Sequence, residues 1–385
     1  MIQNNKIKKP NIGIITNPVG KAGSVPLSNL INVIHPLSEI MHVITGNEGM
    51  NLIQKNDPCI LFFDVRYIEK NNILLKIINH ICMEFKMSIK IIRSAKSISI
   101  WIFFLDSHSL ILPVLAAKMQ KKKVIFALSA SIKNSAKAHK NFLLKIFVYA
   151  EVITFKLSNQ IVVYAPNIIK NWDLEKYRDK ISIADVHVLD FKIFNIYKKL
   201  NERDNVVGYI GRLSEEKGAL NFVKAIPELS KGINGVKFII GGDGHLRGEI
   251  EKFLSDNSFK SKAELLGWIP RGELPGHFNL LKLLVLPSYS EGLPNIMLEA
   301  MACGTPVLAT RVGAIPDIIR DRETGFLMED NSPECIAANI VRALGYPDLE
   351  GVVLRARALV EREYTIERAV EGWRKVLGDV GDEKR

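Results

Sequence analysis

The chain has 385 residues, of which 47% are hydrophobic and 24% charged, with a formal net charge of +11. This length predicts two domains, and the composition is that of an ordinary globular protein. The four cysteines (Cys59, Cys82, Cys303 and Cys335) lack metal-ligand spacing, which excludes a cysteine metal centre and favours a reducing, cytoplasmic setting without structural disulfides.

The charge is divided unevenly along the chain. Residues 1–200 hold 28 Lys and Arg against 13 Asp and Glu, a formal charge of +15, whereas the remainder holds 24 against 28, or −4. The basic half suggests a partner that is anionic, either a phospholipid surface or an acidic substrate, although a solvated lysine-rich surface explains it as well. Nucleic acid is not expected, because no recognised binding motif accompanies the charge.

The first 200 residues alternate short apolar runs with helical patterns. Such alternation predicts a parallel sheet with right-handed crossovers. A glycine-containing loop, Thr16–Ser24, is predicted between the first strand and the first helix. Strands are predicted at 11–16, 41–45, 59–65, 100–105, 124–128, 160–164 and 181–189, with helices at 27–37, 71–90 and 110–119.

Two segments of this half raise the question of a membrane. Residues 98–117 are apolar but are interrupted by Asp-Ser-His-Ser at 106–109, which favours a buried strand, a loop and a helix over a span. Residues 133–155 place lysines at helical spacing among large apolar side chains. This pattern is typical of a helix on an anionic bilayer, or of a helix packed on a core with its lysines in water.

A polar segment at 201–205 precedes a second alternating series and marks the predicted domain boundary. Helices are predicted up to about 229, at 332–344 and, as one or two helices, over 354–377. The chain is therefore predicted to be two α/β domains in series. Strands of the second series are predicted at 206–210, 236–240, 264–268, 281–286 and 306–309.

The stretch 287–306 reads P-S-Y-S-E-G-L-P-N-I-M-L-E-A-M-A-C-G-T-P and follows a predicted buried strand. A turn leads into a helix that begins at Asn295, and the unpaired N–H groups of a helix N-terminus favour anions. Two carboxylates frame this point, Glu291 in the turn and Glu299 on the second helical turn. Phosphate suits the N–H groups and hydroxyls suit the carboxylates, so the stretch predicts a sugar-nucleotide site.

Two further strand ends carry glycines. The segment Gly208–Gly218 reads G-Y-I-G-R-L-S-E-E-K-G and places Arg212 and Lys217, a pair of cations suited to a diphosphate, after a strand. The segment Ile239–Gly244 reads I-I-G-G-D-G, which is too short for a dinucleotide fingerprint, so an oxidoreductase is not expected. Because ligands of open α/β sheets lie beyond the carboxyl ends of strands, the three strand ends are expected to form one crevice.

Taken together, these segments resemble the C-terminal domain of the retaining, metal-independent glycosyltransferases of family 4 (glycosyl transferases group 1). The Glu-x7-Glu pair, Glu291 and Glu299, is the hallmark of that family. The resemblance is close from about 206 to 344 and much weaker over 1–200. The matching motifs are G-R-L-S-E-E-K-G, G-D-G, L-G-W-I-P (Leu266–Pro270), E-G-L-P-N-I-M-L-E-A-M-A-C-G-T-P-V-L-A-T, V-G-A-I-P-D-I-I (Val312–Ile319) and T-G-F-L (Thr324–Leu327).

The resemblance implies an α/β protein of the GT-B fold, with two Rossmann-like parallel-sheet domains facing an interdomain cleft. Residues 1–200 would form the acceptor-binding domain, completed by a C-terminal helix at about 364–385 that includes Trp373. Residues 201–363 would form the domain that binds the nucleotide sugar. The expected setting is cytoplasmic, in cell-surface glycan biosynthesis. Peripheral attachment to the inner face of the membrane is a separate hypothesis, based on the +15 charge of residues 1–200 and on residues 133–155.

The resemblance also implies roles for single residues. The catalytic candidates are Arg212 and Lys217, which would hold the donor diphosphate and stabilise its departure, and Glu291, which would bind hydroxyls of the transferred sugar. The carboxylates would position the donor rather than act as an acid/base pair. No metal is implied, because the family is metal-independent. No cofactor is implied either, because the nucleotide-diphosphate sugar is a co-substrate. The implied donor-binding residues are Gly211, Gly242, Gly244, Leu266, Trp268, Ile269, Gly292, Leu293, Pro294, Asn295 and Glu299, of which Glu299 would bind the ribose hydroxyls.

The first half departs from the family pattern at one position. Many members have a histidine after the strand that corresponds to 124–128, where this chain has Ser129. His108, one strand earlier, is a second candidate for contact with the donor sugar. The loop residues Gly20, Lys21 and Gly23 are candidates for contact with donor phosphate or acceptor.

The predicted function is therefore that of a retaining hexosyltransferase, with a lipid-linked, polysaccharide or small-molecule acceptor. Two alternatives stay open. Ser129 and the weak match of the first half also fit a catalytically weak GT-B protein that acts as a partner or regulatory subunit. A sugar-nucleotide epimerase shares the fold.

Overall fold

The computed structural model describes residues 9–52, 57–67, 72–105, 107–129, 142–256 and 259–382. The chain divides into two compact units, one formed by Met1–His187 with Ile366–Arg385 and the other by Val188–Thr365. The division falls before the predicted boundary at 200/201, because the intervening segment is bonded to the second unit. The backbone N–H of Leu189 donates to the carbonyl of Tyr364 at 3.0 Å, and that of Tyr197 donates to Asn279 Oδ1 at 2.7 Å.

The first unit is built on a parallel sheet. Its strands are β1 (Ile12–Thr16), β2 (Met41–Thr45), β3 (Ile60–Asp64), β4 (Ile100–Phe104), β5 (Lys123–Ala127), β6 (Gln160–Val163) and β7 (Ile181–Ile183). Their order across the sheet is β3-β2-β1-β4-β5-β6-β7. Strands β1, β2 and β4 are buried along their whole length, as continuous apolar runs in a doubly covered parallel sheet must be.

The handedness of the crossovers places the helices of this unit on two faces. The helices are α1 (Lys21–Ile34), α2 (Ile73–Arg93), α3 (Ile111–Met119), α4 (Phe142–Leu157), α5 (Asn167–Asn171) and the terminal helix (Ile366–Asp382). The chain moves from β3 to β4, β5 and β6 in one direction across the sheet and from β1 to β2 in the other, so right-handed connections put α2, α3 and α4 on one face and α1 on the opposite face. The terminal helix packs with α1, and its Trp373 Nε1 donates to the carbonyl of Asp185 at 3.1 Å.

The second unit repeats this architecture with a parallel sheet in the order β10-β9-β8-β11-β12-β13. The strands are β8 (Val206–Ile210), β9 (Lys237–Gly241), β10 (Ala263–Gly267), β11 (Leu283–Leu286), β12 (Val307–Thr310) and β13 (Phe326–Met328). The helices are α6 (Ala219–Gly232), α7 (Arg247–Asp256), α8 (Leu274–Leu280), α9 (Asn295–Ala302), α10 (Ile315–Ile318), α11 (Pro333–Leu344) and α12 (Leu349–Glu363).

The predicted parallel α/β architecture is confirmed, and most predicted strands differ at their ends by only one or two residues. Two predictions in the first half were wrong. The helix predicted from 27 begins at Lys21, so Gly23 lies in its first turn rather than in a loop, where a Cβ would approach Val19 Cγ1 to 2.8 Å. The strand predicted at 181–189 ends at Ile183, because the carboxylate of Asp185 accepts the next two backbone N–H groups and turns the chain.

The two segments that were considered as membrane segments differ in how far the structure describes them. Residues 98–117 form β4, a short 3₁₀ turn (Ser107–Ser109) and α3, as predicted. The lysines at 133, 137 and 140 lie outside the described residues, and the helix there is described only from Phe142. Within the described ranges, every helix is too short or too polar to cross a bilayer.

Arg203 joins several pieces of the second unit. Only 4% of the residue is exposed, and its guanidinium donates to backbone carbonyls that end α8 and α9, at Phe278 (3.1 Å) and Cys303 (2.8 Å). It also donates to the carbonyls of Lys198 and Leu281. Burial lowers the pKa of Arg203 to about 10, so the group remains a cation at neutral pH.

We expect Arg203→Met to lower the free energy of unfolding by about 3 kcal/mol or more, because several buried carbonyls lose their donor at once. Arg320→Met, at an exposed arginine paired with Glu323, should cost about 0.5 kcal/mol or less. Urea denaturation of both variants measures the difference. Equal losses in the two variants would show that Arg203 does not hold these helix ends together.

Candidate functional site

The three glycine-bearing strand ends of the second unit lie at one edge of one sheet. Strand β8 sits between β9 and β11, so the chain order reverses there, which is where open α/β sheets leave a crevice. Backbone bonds hold the ends in register. The N–H of Gly211 donates to the carbonyl of Gly241 at 2.9 Å, and that of Gly242 donates to Gly267 at 2.7 Å.

Gly242 is required by this arrangement. Its φ is 129°, a conformation that L side chains rarely adopt, and a Cβ there would lie 1.8 Å from the carbonyl oxygen of Gly211. Gly244 is also close to the first loop, since its Cβ would lie 2.3 Å from the carbonyl oxygen of Leu213. The glycines predicted from G-D-G therefore let two loops approach with no side chain between them.

The loop after β8 is bonded to the turn after β11. The N–H of Tyr289 donates to the carbonyl of Glu216 at 2.8 Å, and Lys217 Nζ lies 2.8 Å from Glu291 Oε2. The other oxygen of Glu291 accepts from Ser288 Oγ at 2.7 Å. The structure thus brings together Lys217 and Glu291, two of the predicted catalytic residues, as an ion pair.

Arg212, the third predicted catalytic residue, is exposed on the same loop. The backbone below it is fixed by Tyr209, whose buried hydroxyl donates to the carbonyl of Arg212 at 2.6 Å. Burial, and to a lesser degree the nearby Glu291, raise the pKa of Tyr209 well above its usual range. The phenol therefore stays protonated and keeps its role as a donor.

Glu299 lies on α9 with only 4% of the residue exposed. Burial raises its pKa to about 7, an effect that the cation of Arg271 opposes. Arg271 Nη2 is 3.1 Å from Glu299 Oε1, and the guanidinium lies 5.5 Å from the ring centroid of Phe194. Sequence reasoning missed Arg271, although it directly follows the L-G-W-I-P motif.

The L-G-W-I-P motif covers the end of β10. Leu266 is half-buried and Trp268 is exposed, whereas Ile269 is buried. A Cβ on Gly241 would come within 2.5 Å of Ile269 Cδ1, so this glycine makes room for the isoleucine. The motif therefore anchors its loop through Ile269 and leaves Trp268 accessible.

The turn 292–295 leads into the N-terminus of α9. Leu293 and Pro294 are buried, and Gly292 and Asn295 are half-buried. The carbonyl of Gly292 accepts from the N–H of Ala314 at 2.9 Å, which fixes the turn. No side chain caps α9 among the described residues, and of its first N–H groups that of Met297 donates to the carbonyl of Pro294 at 3.1 Å.

The remaining predicted residues lie in the first unit. Gly20 is the N-cap of α1, and Ser129 is half-buried just after β5. The side chains of Lys21 and His108 lie outside the described part of the structure. Within that part, no cluster of three or more His, Cys, Asp or Glu side chains could hold a metal ion.

The two parallel sheets with flanking helices define the GT-B fold. A solved structure of this fold, Anabaena HepE in complex with UDP and glucose, aligns with 96% of this chain and 100% of its own at a TM-score of 0.75 and 15% identity. At that identity the likeness establishes the fold alone.

Sequence comparison finds relatives of the second unit. Residues 204–345 match the family model for glycosyl transferases group 1. An uncharacterized glycosyltransferase of Methanocaldococcus jannaschii is 32% identical over 47% of this chain and 50% of its own. The alpha-D-kanosaminyltransferase of Streptomyces kanamyceticus is 28% identical over 46% of each chain. This chain thus spans about half the length of the curated relatives it matches.

Glu299 should make stability depend on pH. Between the ordinary pKa of 4.5 and about 7, the folded chain keeps a proton on Glu299 that the unfolded chain has released, so stability falls as pH rises through this window and is level above it. Glu299→Gln should remove this pH dependence, which changes the free energy of unfolding by at most about 3 kcal/mol across the window.

Urea denaturation of the native chain and of Glu299→Gln between pH 4.5 and 8 measures this slope. Glu323→Gln, at an exposed glutamate of the same unit, is the matched control and should keep the native pH dependence. An unchanged slope in Glu299→Gln would mean that the proton is not held at this residue.

Proposed function

We propose that the chain is a glycosyltransferase that moves a sugar from a nucleotide-diphosphate donor to an acceptor hydroxyl with retention of anomeric configuration, as in family 4. The observation that carries the proposal is the pairing of Lys217 Nζ with Glu291 Oε2 at 2.8 Å, in the turn that leads into α9, the helix that carries Glu299. Cations, N–H groups and two carboxylates at the carboxyl edge of one sheet match the phosphates and hydroxyls of a sugar nucleotide. The match of residues 204–345 to glycosyl transferases group 1 supports the same assignment.

In the proposed reaction, the bond between the sugar C1 and the diphosphate oxygen breaks, and the oxygen keeps the electron pair. The acceptor oxygen forms the new bond to C1, and its proton passes to the departing phosphate, the base that the reaction itself supplies. Arg212 and Lys217 stabilise the negative charge that develops on the diphosphate. The proposal needs no metal ion for this step, because two cations stand in the loop after β8.

The ion pair between Lys217 and Glu291 prepares both groups for the donor. Without a donor, each side chain neutralises the other, and Ser288 Oγ donates to the carboxylate of Glu291. The N–H of Tyr289 donates to the carbonyl of Glu216, which holds the backbone next to Lys217. When the donor binds, the lysine turns to phosphate and the glutamate accepts hydroxyls of the sugar. The exchange replaces one charge pair by another, so neither group is left buried without a partner.

Glu299 is assigned to the ribose hydroxyls, with Arg271 holding its carboxylate. A carboxylate accepts two hydroxyl donors when it is ionised, and Arg271 favours that form. We infer that the base packs against the loop of Leu266–Pro270, where Trp268 is exposed. The first unit is assigned to the acceptor, with Gly20, Lys21 and Gly23 as candidates for contact with it. The acceptor class stays a lipid-linked, polysaccharide or small-molecule hydroxyl.

A second candidate function rests on Ser129. Family members of this type often carry a histidine there, and a chain that binds donor without transferring sugar would serve as a partner or regulatory protein. An epimerase would instead convert the nucleotide sugar to an isomer without an acceptor. Product analysis separates the three, since only the transferase makes a new glycoside or, without acceptor, releases free sugar.

The first experiment is a thermal-shift screen of UDP, GDP, ADP and dTDP sugars on the full chain. A donor present at 100 times its Kd stabilises the folded state by about 2.7 kcal/mol, a shift of several degrees for a unit of this size. Glu299→Ala should abolish the shift for the same nucleotide, whereas Glu323→Ala should keep it. No shift with any nucleotide sugar in the panel would contradict the assignment of this site.

Once the donor substrate is identified, we expect Lys217→Ala to lower kcat/KM by about 10²- to 10³-fold, because the leaving diphosphate loses the cation that stabilises it. Lys224→Ala, at an exposed lysine of α6, should leave kcat/KM unchanged. Initial rates of nucleotide release measure both.

The double variant Lys217→Gln with Glu291→Gln tests whether the lysine acts on the donor. It removes both charges while keeping side chains of similar volume and hydrogen-bonding capacity. Activity near that of the native chain in the double variant would mean that Lys217 only balances Glu291, and would contradict the catalytic role.

A further inference from the structure

One face of the first unit exposes an apolar surface that the proposed reaction does not use. On α2, exposed apolar side chains recur at spacings of three, four and seven residues and therefore lie along one stripe of the helix. The stripe consists of Leu74, Ile78, Ile81, Phe85 and Ile92.

The stripe is continued by the neighbouring helices. The backbone N–H of Leu112, at the start of α3, donates to Glu84 of α2 at 2.8 Å, and the rings of His80 and Phe147 place α4 against α2 with centroids 5.7 Å apart. These three helices lie on the same face of the sheet because their crossovers have the same hand and direction. They add Leu112, Leu115, Met119, Tyr149 and Ile153 to the exposed apolar side chains of this face.

The exposed charges that the structure describes on the same three helices are all positive. Their two acidic residues, Glu84 and Glu151, are both buried. The basic residues Lys86, Arg93 and Lys156 are exposed at the edges of the apolar stripes. An apolar surface whose described exposed charges on these three helices are all positive is complementary to a layer of lipid chains with anionic headgroups.

We propose that the outer face of α2, α3 and α4 docks on an anionic phospholipid surface. The apolar side chains enter the boundary between headgroups and acyl chains, and the flanking cations contact the headgroup phosphates. The breadth of the apolar surface distinguishes a lipid layer from a single partner helix as its occupant. A single stripe on α2 would suit one partner helix, whereas exposed apolar residues on three adjacent helices form a face that suits a flat layer.

The test is sedimentation of the full chain with vesicles of phosphatidylglycerol and phosphatidylcholine at low salt. We expect the chain to bind the mixed vesicles and to bind vesicles of phosphatidylcholine alone about tenfold or more weakly, because each cation near an anionic surface adds to the attraction. Equal binding to both vesicles, or none to either, would overturn the proposal.

A matched pair of substitutions locates the surface. Leu74 in the stripe and Leu354 on α12 of the second unit are 62% and 66% exposed, so a charge at either position leaves the core intact. Leu74→Glu combined with Phe85→Glu should reduce vesicle binding about tenfold or more, and Leu354→Glu should leave it unchanged. Equal effects of the two changes would contradict docking through this face.

Light scattering in the absence of lipid tests the rival occupant, a second copy of the chain. The proposal expects the mass of a single chain, 43.2 kDa, at micromolar concentration. A dimer that Leu74→Glu with Phe85→Glu dissociates would show that this face binds a second copy, and would overturn the lipid assignment. Because Leu74 and Phe85 lie outside the donor residues, nucleotide-sugar binding should be unchanged in the variant, so failure of this inference is distinct from failure of the proposed transferase function.

Discussion

The second unit depends on a buried cation, Arg203, that pairs with no carboxylate among the residues the structure describes. Arg203 directs its guanidinium at carbonyls that end α8 and α9, so its charge is compensated by backbone dipoles. Arg271 lies just before α8 and Glu299 lies within α9, and the position of each depends on those helices. The geometry of the Arg271–Glu299 pair therefore also depends on Arg203, a residue that belongs to neither motif and bonds to the end of α9.

The two glutamates of the hallmark motif are held in different ways. Glu291 is in a turn, where Lys217 Nζ and Ser288 Oγ bind its two carboxylate oxygens. Glu299 is buried, and the desolvation that raises its pKa outweighs the opposing effect of Arg271. The ionised form of Glu299 is therefore disfavoured. The spacing of the two glutamates in the sequence therefore does not set their chemistry, which depends on what surrounds each carboxylate.

Much of this site could be predicted from the sequence because its signals are local. Strand ends, glycines and a Pro-Asn helix start are properties of a few consecutive residues, and they located the Lys217 and Glu291 loops correctly on one sheet edge. Arg271 could not be found in this way, because its partner is in a different segment. The start of α1 was misplaced because Gly23 and Pro26 favour a loop locally, while packing against Val19 allows a helix.

The raised pKa of Glu299 has a consequence for how a ligand would bind. A carboxyl group with a pKa of about 7 is about half protonated at neutral pH and must ionise before it can accept two hydroxyl donors, so a ligand that selects the ionised form expels protons into the solvent. Calorimetry would then record a heat of association that varies with the ionisation enthalpy of the buffer. Association would also strengthen as the solution becomes more alkaline through neutrality, which makes this buried side chain a link between ligand occupancy and the acidity of its surroundings.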